Sequence, residues 1–400
     1  MAHPLPEPST ILSAIRSSSR ALRESANITI SQPAIERLLK SPVFLTSFQR
    51  VSAQHGLALP LKFSSPLDEL NVISILSLLN FGSGYRIPLH TETGRGAWDN
   101  IRLLIFSIFI GGSEEDLLSA KGMLSAKGMQ QLNEAKVAEL MRINVYIEKP
   151  HTEIPGVTVG ELGGPLYELV MLISHVLVET GQLLEEAGYP SLGAFVVEAL
   201  KEGARVAKQT SDVQVVLDRL IRFIPAFQDC HIVNGQSVYL FKKALFLVHA
   251  ITIRFGSLSP PPFPVPNTSQ VPVFADNVLP SLLIHLGVIE LSPSFQSIFL
   301  DDKSSETLIS LLAETVSEPN LSGSPPNEGP VLTTDQACIL RAAAVDACEM
   351  IVERARELNE PSWRKNIQLT ELDMWLWSIA KDRADYRRLE RFVLRDTVFF

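Results

Sequence analysis

Apolar residues recur along this chain at three- and four-residue steps far more often than they alternate. From Val213, the positions Val216, Leu217, Leu220, Ile221 and Ile224 trace one helical face, and Pro225 ends the run. A second face comprises Ile339, Leu340, Ala344, Cys348, Ile351, Val352 and Ala355. It follows Thr333 and Gln336, which are spaced as a capping box. Thr370 and Asp373 mark a similar start before Leu376 and Ile379. Strand-like alternation is confined to a short hairpin across residues 231–239, with Asn234-Gly235 at its tip. The pattern predicts a mostly α protein with at most a short β-hairpin.

Two stretches break the periodicity. Residues 256–270 carry Pro260, Pro261, Pro262, Pro264 and Pro266, and residues 317–330 are rich in Ser, Pro, Gly and Asn. Both read as loops inside one domain, and the first leads directly into Phe274-Ala275-Asp276, as a wall of a site would. The expected organisation is an N-terminal extension over residues 1–30 and a single compact helical domain over residues 31–400. A tandem hexapeptide, Leu118 to Met123 and Leu124 to Met129, reads as a local duplication that lengthens a helical surface segment.

Composition narrows the function classes. The chain has 400 residues, 46% of them hydrophobic, and a net charge of −9. A large interior is therefore available, and the acidic balance argues against a general phosphate-backbone binder, so no direct nucleic-acid partner is expected. The three cysteines, Cys230, Cys338 and Cys348, have no CxxC spacing. That favours a reducing compartment and excludes a zinc ribbon or a disulfide framework. No His pair has metal-ligand spacing, and no Walker loop or nucleophile elbow occurs, so neither metal nor cofactor is expected. His175 and His285 read as packing histidines. The apolar run from Leu103 is too short to span a membrane, and the one from Leu166 contains Glu168 and His175. Arg16, Ser17, Ser18, Ser19, Arg20 and Arg23 echo a transit peptide, but Glu7 and Glu24 dilute it. A soluble, cytoplasmic monomer is the expectation.

Four segments carry candidate chemistry. Asp276 sits between an apolar loop and the run Leu279 to Leu286. It reads either as an acid at a helix N-terminus or as a carboxylate stabilising a cationic transition state, with Phe274 stacked on a planar substrate. Asp229 ends another apolar run, and Lys242 follows Phe241. They form either a structural ion pair or, through Lys242, a contact to an anionic group of a ligand. The run from Asn80 to Arg86 is a tight turn or a backbone that approaches a ligand, flanked by Phe81 and Tyr85. Asp373 completes a cap or faces a site. It shares a helix face with Trp377, four residues on, whereas Trp375 points elsewhere.

Taken in order, these pieces resemble the queuosine salvage proteins, in their fungal branch. The matching segments are Leu79-Asn80-Phe81, Glu179-Thr180-Gly181, Phe241-Lys242-Lys243-Ala244, Phe274-Ala275-Asp276 with Leu279-Pro280, His285-Leu286-Gly287, Asp373 with Leu376-Trp377, and Phe399-Phe400. The resemblance implies an all-α fold similar to the helical DNA glycosylases. It also implies hydrolysis of the N-glycosidic bond of queuosine 5'-monophosphate, releasing queuine and ribose 5-phosphate. Carried over, Asp276 matches the catalytic Asp and Phe274 the aromatic that stacks on the 7-deazaguanine. Asp373 and Trp375 match the pair that holds the base, and His55 matches a His in the N-terminal part. Lys242 is the expected partner of the 5'-phosphate. Two departures fall in the implied pocket: Asn277-Val278 stands where the family often has Tyr-Arg, and Ser378 where it often has a second Asp. The alternative is a non-catalytic helical interaction protein, or an inactive relative that binds a 7-deazaguanine ligand without turnover.

Overall fold

The computed structural model describes residues 4–52, 59–111, 120–207, 211–299, 305–314, 327–358 and 361–400. Helices dominate, and the buried apolar side chains form one contiguous core running from Ile11 to Phe400. At its centre lies the Thr334–Glu357 helix, opened by the expected Thr333/Gln336 capping box. Its middle, from Arg341 to Cys348, is buried on every side, and the small residues Ala342, Ala343, Ala344 and Ala347 let neighbours approach closely. The Ile11–Ser25, Val278–His285 and Leu369–Asp382 helices pack around it.

The N-terminal stretch is part of this body rather than an extension. Ile11, Ile15 and Leu22 form the buried stripe of the Ile11–Ser25 helix. The arginines that gave the stretch its leader-like look pair with the central helix: Arg16 with Glu349 at 2.6 Å, and Arg20 and Arg23 with Asp346 at 3.0 and 2.9 Å. The charge pattern is accounted for by helix pairing.

The predicted hairpin is present as Cys230–Val233 against Gln236–Tyr239, with Asn234 and Gly235 both at positive φ, as a two-residue turn requires. Three further strand pairs were not legible. An exposed ribbon joins Tyr146–Pro150 to Thr158–Leu162, and Thr29–Ile30 pairs with Ile289–Glu290. Glu328–Val331 lies parallel to Arg391–Val393. The last pair corrects part of the 317–330 loop, most of which lies outside the described residues. In the second copy of the hexapeptide, Leu124, Ala126 and Met129 are buried, so it adds core rather than surface. Among the described residues, no single helix is long and apolar enough to cross a membrane.

The proline-rich segment is anchored along its length. Thr252 donates to Pro266 O at 2.9 Å and Arg16 to Gln270 O at 2.6 Å. It then delivers Val271, Val273 and Phe274 into the core. This brings Asp276 to the start of the Val278–His285 helix, facing the Leu369–Asp382 and Lys242–Phe255 helices.

Candidate functional site

Asp229 builds the first wall. Its carbonyl accepts from Leu240 N and Phe241 N, and its Oδ2 accepts from Lys242 N at 3.2 Å. These bonds hold Phe241 at φ 46°, a left-handed conformation costly for an aromatic residue, and aim the next residue inward. The carboxylate is itself clamped by Arg341, whose Nη1 and Nη2 lie 3.0 and 2.5 Å from its two oxygens. Arg341 Nε donates to Ala275 O at 2.8 Å, so one guanidinium fixes both the Lys242 and the Asp276 segments. Asp229 is wholly buried, and Arg341 makes the ion pair that was expected between Asp229 and Lys242.

Lys242 reaches the cleft. Its Nζ donates to Asn80 O and Asn80 Oδ1, at 2.8 and 3.1 Å, and stands 3.8 Å from Asp276 Oδ2. Burial pushes its ammonium below the usual range, and Asp276 pulls it back. Asp276 Oδ1 accepts from Val278 N at 2.6 Å, which leaves Oδ2 toward Lys242 and the open space. The two expectations for Asp276 thus divide between its two oxygens, one at the helix terminus and one facing the cleft.

Opposite stands Asp373. The Leu369–Asp382 helix opens with a Gln368/Glu371 capping box, so Asp373 is not the cap that its spacing from Thr370 suggested. Instead, its Oδ2 accepts from Phe274 N at 2.7 Å across the cleft. Burial, against the relief of that bond, raises its carboxyl to about 7, and the nearby Asp276 charge adds to the rise. Asn80, Trp98, Lys242, Phe246, Phe274, Asp276, Asp373, Met374 and Trp377 line one slot. Phe246 meets Phe274 edge-on at 5.9 Å and Trp98 at 5.8 Å, giving a ring-lined wall around the two carboxyl groups.

Trp375 is not in this wall. It is fully buried on the far side of its helix, donating from Nε1 to Ser47 Oγ at 2.8 Å and packing on Phe44 and Phe48. Trp377 takes its place, as the four-residue spacing from Asp373 requires. Ser378 is buried but does not line the slot. Tyr85 is also buried, its hydroxyl accepting from Asp396 N at 3.2 Å. Phe81 lies under Lys243 Nζ and borders the outer cleft. Asn277 donates to Phe392 O at 2.9 Å and borders the same outer space, with its Oδ1 unpartnered among the described residues. His55 lies outside the described residues. Gly84 abuts Leu394 O so closely that a Cβ would lie 2.1 Å away. Gly84 therefore makes room for the chain's own C-terminal segment, while Asn80, Phe81, Ser83 and Arg86 of the same run border the outer cleft. Trp98, Phe246 and Met374 were missed because nothing local in the sequence distinguishes them from other buried apolar residues.

The arrangement suits a planar ring with a polar edge: rings for its faces, a carboxyl for its edge, and a second carboxylate beside a cation where the ring's substituent emerges. Among the described residues, no group of three or more His, Cys, Asp or Glu side chains could hold a metal ion. In comparison with known proteins, no curated protein matches the chain. The family model described as queuosine salvage protein matches residues 70–308, more than half of the chain and including Asn80, Lys242, Phe274 and Asp276. The chain belongs to the queuosine salvage protein family.

Proposed function

We propose that this protein hydrolyses the N-glycosidic bond of queuosine 5'-monophosphate, releasing queuine and ribose 5-phosphate. A role in queuosine salvage follows from the family; the bond and the substrate form are our reading. The observation that carries it is the pairing of Asp276 and Asp373 in one ring-lined slot.

The 7-deazaguanine enters the slot between Phe274 and Trp377, where base–aromatic stacking contributes about 1–3 kcal/mol. Asp373, already fixed by Phe274 N–H, accepts from the N–H groups of the guanine-like edge. Beyond the ring, C1' of the ribose lies near Asp276. As the C1'–N bond breaks, its electron pair leaves with the base nitrogen and the ribose becomes oxocarbenium-like. Asp276 stabilises that charge. Its Oδ2 also takes a proton from the water that attacks C1' and returns it to solvent, and solvent supplies the proton that the base nitrogen gains as queuine departs. Lys242, held by Asn80, positions Asp276 across the 3.8 Å gap.

The test is incubation of purified protein with queuosine 5'-monophosphate, following queuine by chromatography. Queuine release by the wild-type chain, lost in Asp276→Asn, supports the reading. Binding of queuine with no release would make the protein a 7-deazaguanine binder.

A further inference from the structure

The ribbon of Tyr146–Pro150 and Thr158–Leu162 stands off the core, with every residue of both strands exposed. Tyr146 and Leu162 share one of its faces, Ile147 and Val159 the other, so apolar surface is open on both sides. Among the described residues, neither strand belongs to a larger sheet. The ribbon supplies no residue to the slot, and a two-stranded hairpin alone is at best marginally stable in water.

Its two outer edges differ. Gly163 N donates to Val145 O at 3.1 Å and His151 N to Val157 O at 2.8 Å, at the two ends of the ladder. With Ile147 opposite Glu161 and Lys149 opposite Val159, the odd-numbered residues therefore bond across the ribbon. The even-numbered ones turn their backbone groups outward. On the first strand that edge is blunted: Pro150 has no N–H, and Tyr146 N is taken by Asn144 Oδ1 at 3.0 Å. On the second strand, Thr158, Gly160 and Leu162 present N–H and C=O groups with no partner among the described residues.

We propose that this open edge pairs with the same edge of a second copy, antiparallel about a two-fold axis at Gly160, making a four-stranded sheet across a homodimer. The dimer takes the place of the monomer expected from the sequence and is independent of the reaction proposed above. The edge is self-complementary in this register. Thr158 faces Leu162 of the second copy and Gly160 faces its own counterpart, so every outward group is satisfied. Glu161 falls opposite Val159 of the second copy and keeps its own Lys149, 2.5 Å away. The two Glu148 side chains are held apart by both glycines. Sliding the axis to Glu161 would set like charges face to face, and sliding it to Val159 would leave Leu162 unpaired. A second copy brings the required complement with it by symmetry. So short an edge buries less than the roughly 1,200 Å² of a standard interface, so a dissociation constant on the order of 10 µM is expected.

Sedimentation equilibrium of the full chain, from about 1 to 200 µM, tests the seam. The wild-type chain should pass from monomer to dimer over that range. Gly160→Pro removes an outward N–H at the centre while leaving the ribbon's own ladder intact, and should weaken dimerisation by at least about 10-fold. Val159→Glu sets a carboxylate opposite Glu161 of the second copy, although Lys149 favours it within the ribbon, and should weaken the dimer similarly. Adding Glu161→Lys to that variant pairs opposite charges across the seam and should restore the dimer, a reversal that mere damage to the ribbon would not give. If Gly160→Pro fails to fold, these two charge variants, at exposed side chains, carry the test. A wild-type chain that stays monomeric at the highest concentration would overturn the proposal and leave the edge to a strand of another protein. A dimer that Val159→Glu and Gly160→Pro leave intact would overturn it as well.

Discussion

Replacing Asp229 by Asn should destabilise the protein far more than its single lost charge suggests. The side chains of Arg341 and Asp229 are 0% and 1% exposed, and the two guanidinium–carboxylate bonds have no water to replace them. In the Asn variant, one amide N–H faces an Arg341 N–H, and a guanidinium stays buried without its counter-charge. Breaking such a pair costs about 3–5 kcal/mol. With an unfolding entropy of about 2.1 cal/mol/K per residue, a chain of this length has roughly 0.8 kcal/mol/K, so Tm should fall by about 4–6 °C. Arg341 also holds Ala275 O, so the variant should lose catalytic efficiency as the Asp276 segment shifts. The double variant Asp229→Leu with Arg341→Met removes both charges and should regain much of the lost Tm. The assay is thermal unfolding followed by circular dichroism, on the wild-type and single and double variants. A Tm within about 1 °C of wild type for Asp229→Asn would refute the reasoning.

In the proposed reaction, Asp373 makes opposite pH demands on folding and on turnover. Its carboxyl is raised to about 7, so its contribution to stability is present below about pH 4 and is lost as pH rises to about 7. As an acceptor for the base it works only when deprotonated, so kcat/KM should rise with pH around a midpoint near 7, and Asp373→Asn should flatten that limb. A wild-type profile flat from pH 6 to 8 would contradict this role. The two tryptophans should separate cleanly: Trp377→Ala should weaken queuine binding by about 1–3 kcal/mol, whereas Trp375→Ala should cost about 3–5 kcal/mol of stability. Equal effects of the two on both measurements would show that the helix faces are misassigned.

Much of the fold was legible because helical periodicity reports which face is buried. The Val213–Phe223 and Thr334–Glu357 helices lie where apolar spacing and caps predicted them. The start of the last long helix was misread because Thr370 and Asp373 have the same spacing as the real box, Gln368 and Glu371, and only cap geometry separates them. The same helix shows which argument reached furthest into the site. Four-residue spacing placed Trp377 beside Asp373, while resemblance carried the role to Trp375, which faces Ser47. Contacts across long stretches of chain left no local trace. Asp229 meets Arg341 112 positions away, and Phe274 meets Asp373 across 99. The outer cleft was hidden for the same reason, since Arg86 and Arg391 come together there only in the fold.

The central claim is that Asp276 acts on a glycosidic bond in the slot it shares with Asp373. A single-turnover assay with queuosine 5'-monophosphate, comparing wild type with Asp276→Asn at matched thermal stability, tests it most directly. The account predicts stoichiometric queuine release by the wild-type protein and a rate at least about 100-fold lower in the variant, with queuine binding retained. Release at the same rate by both proteins would contradict it.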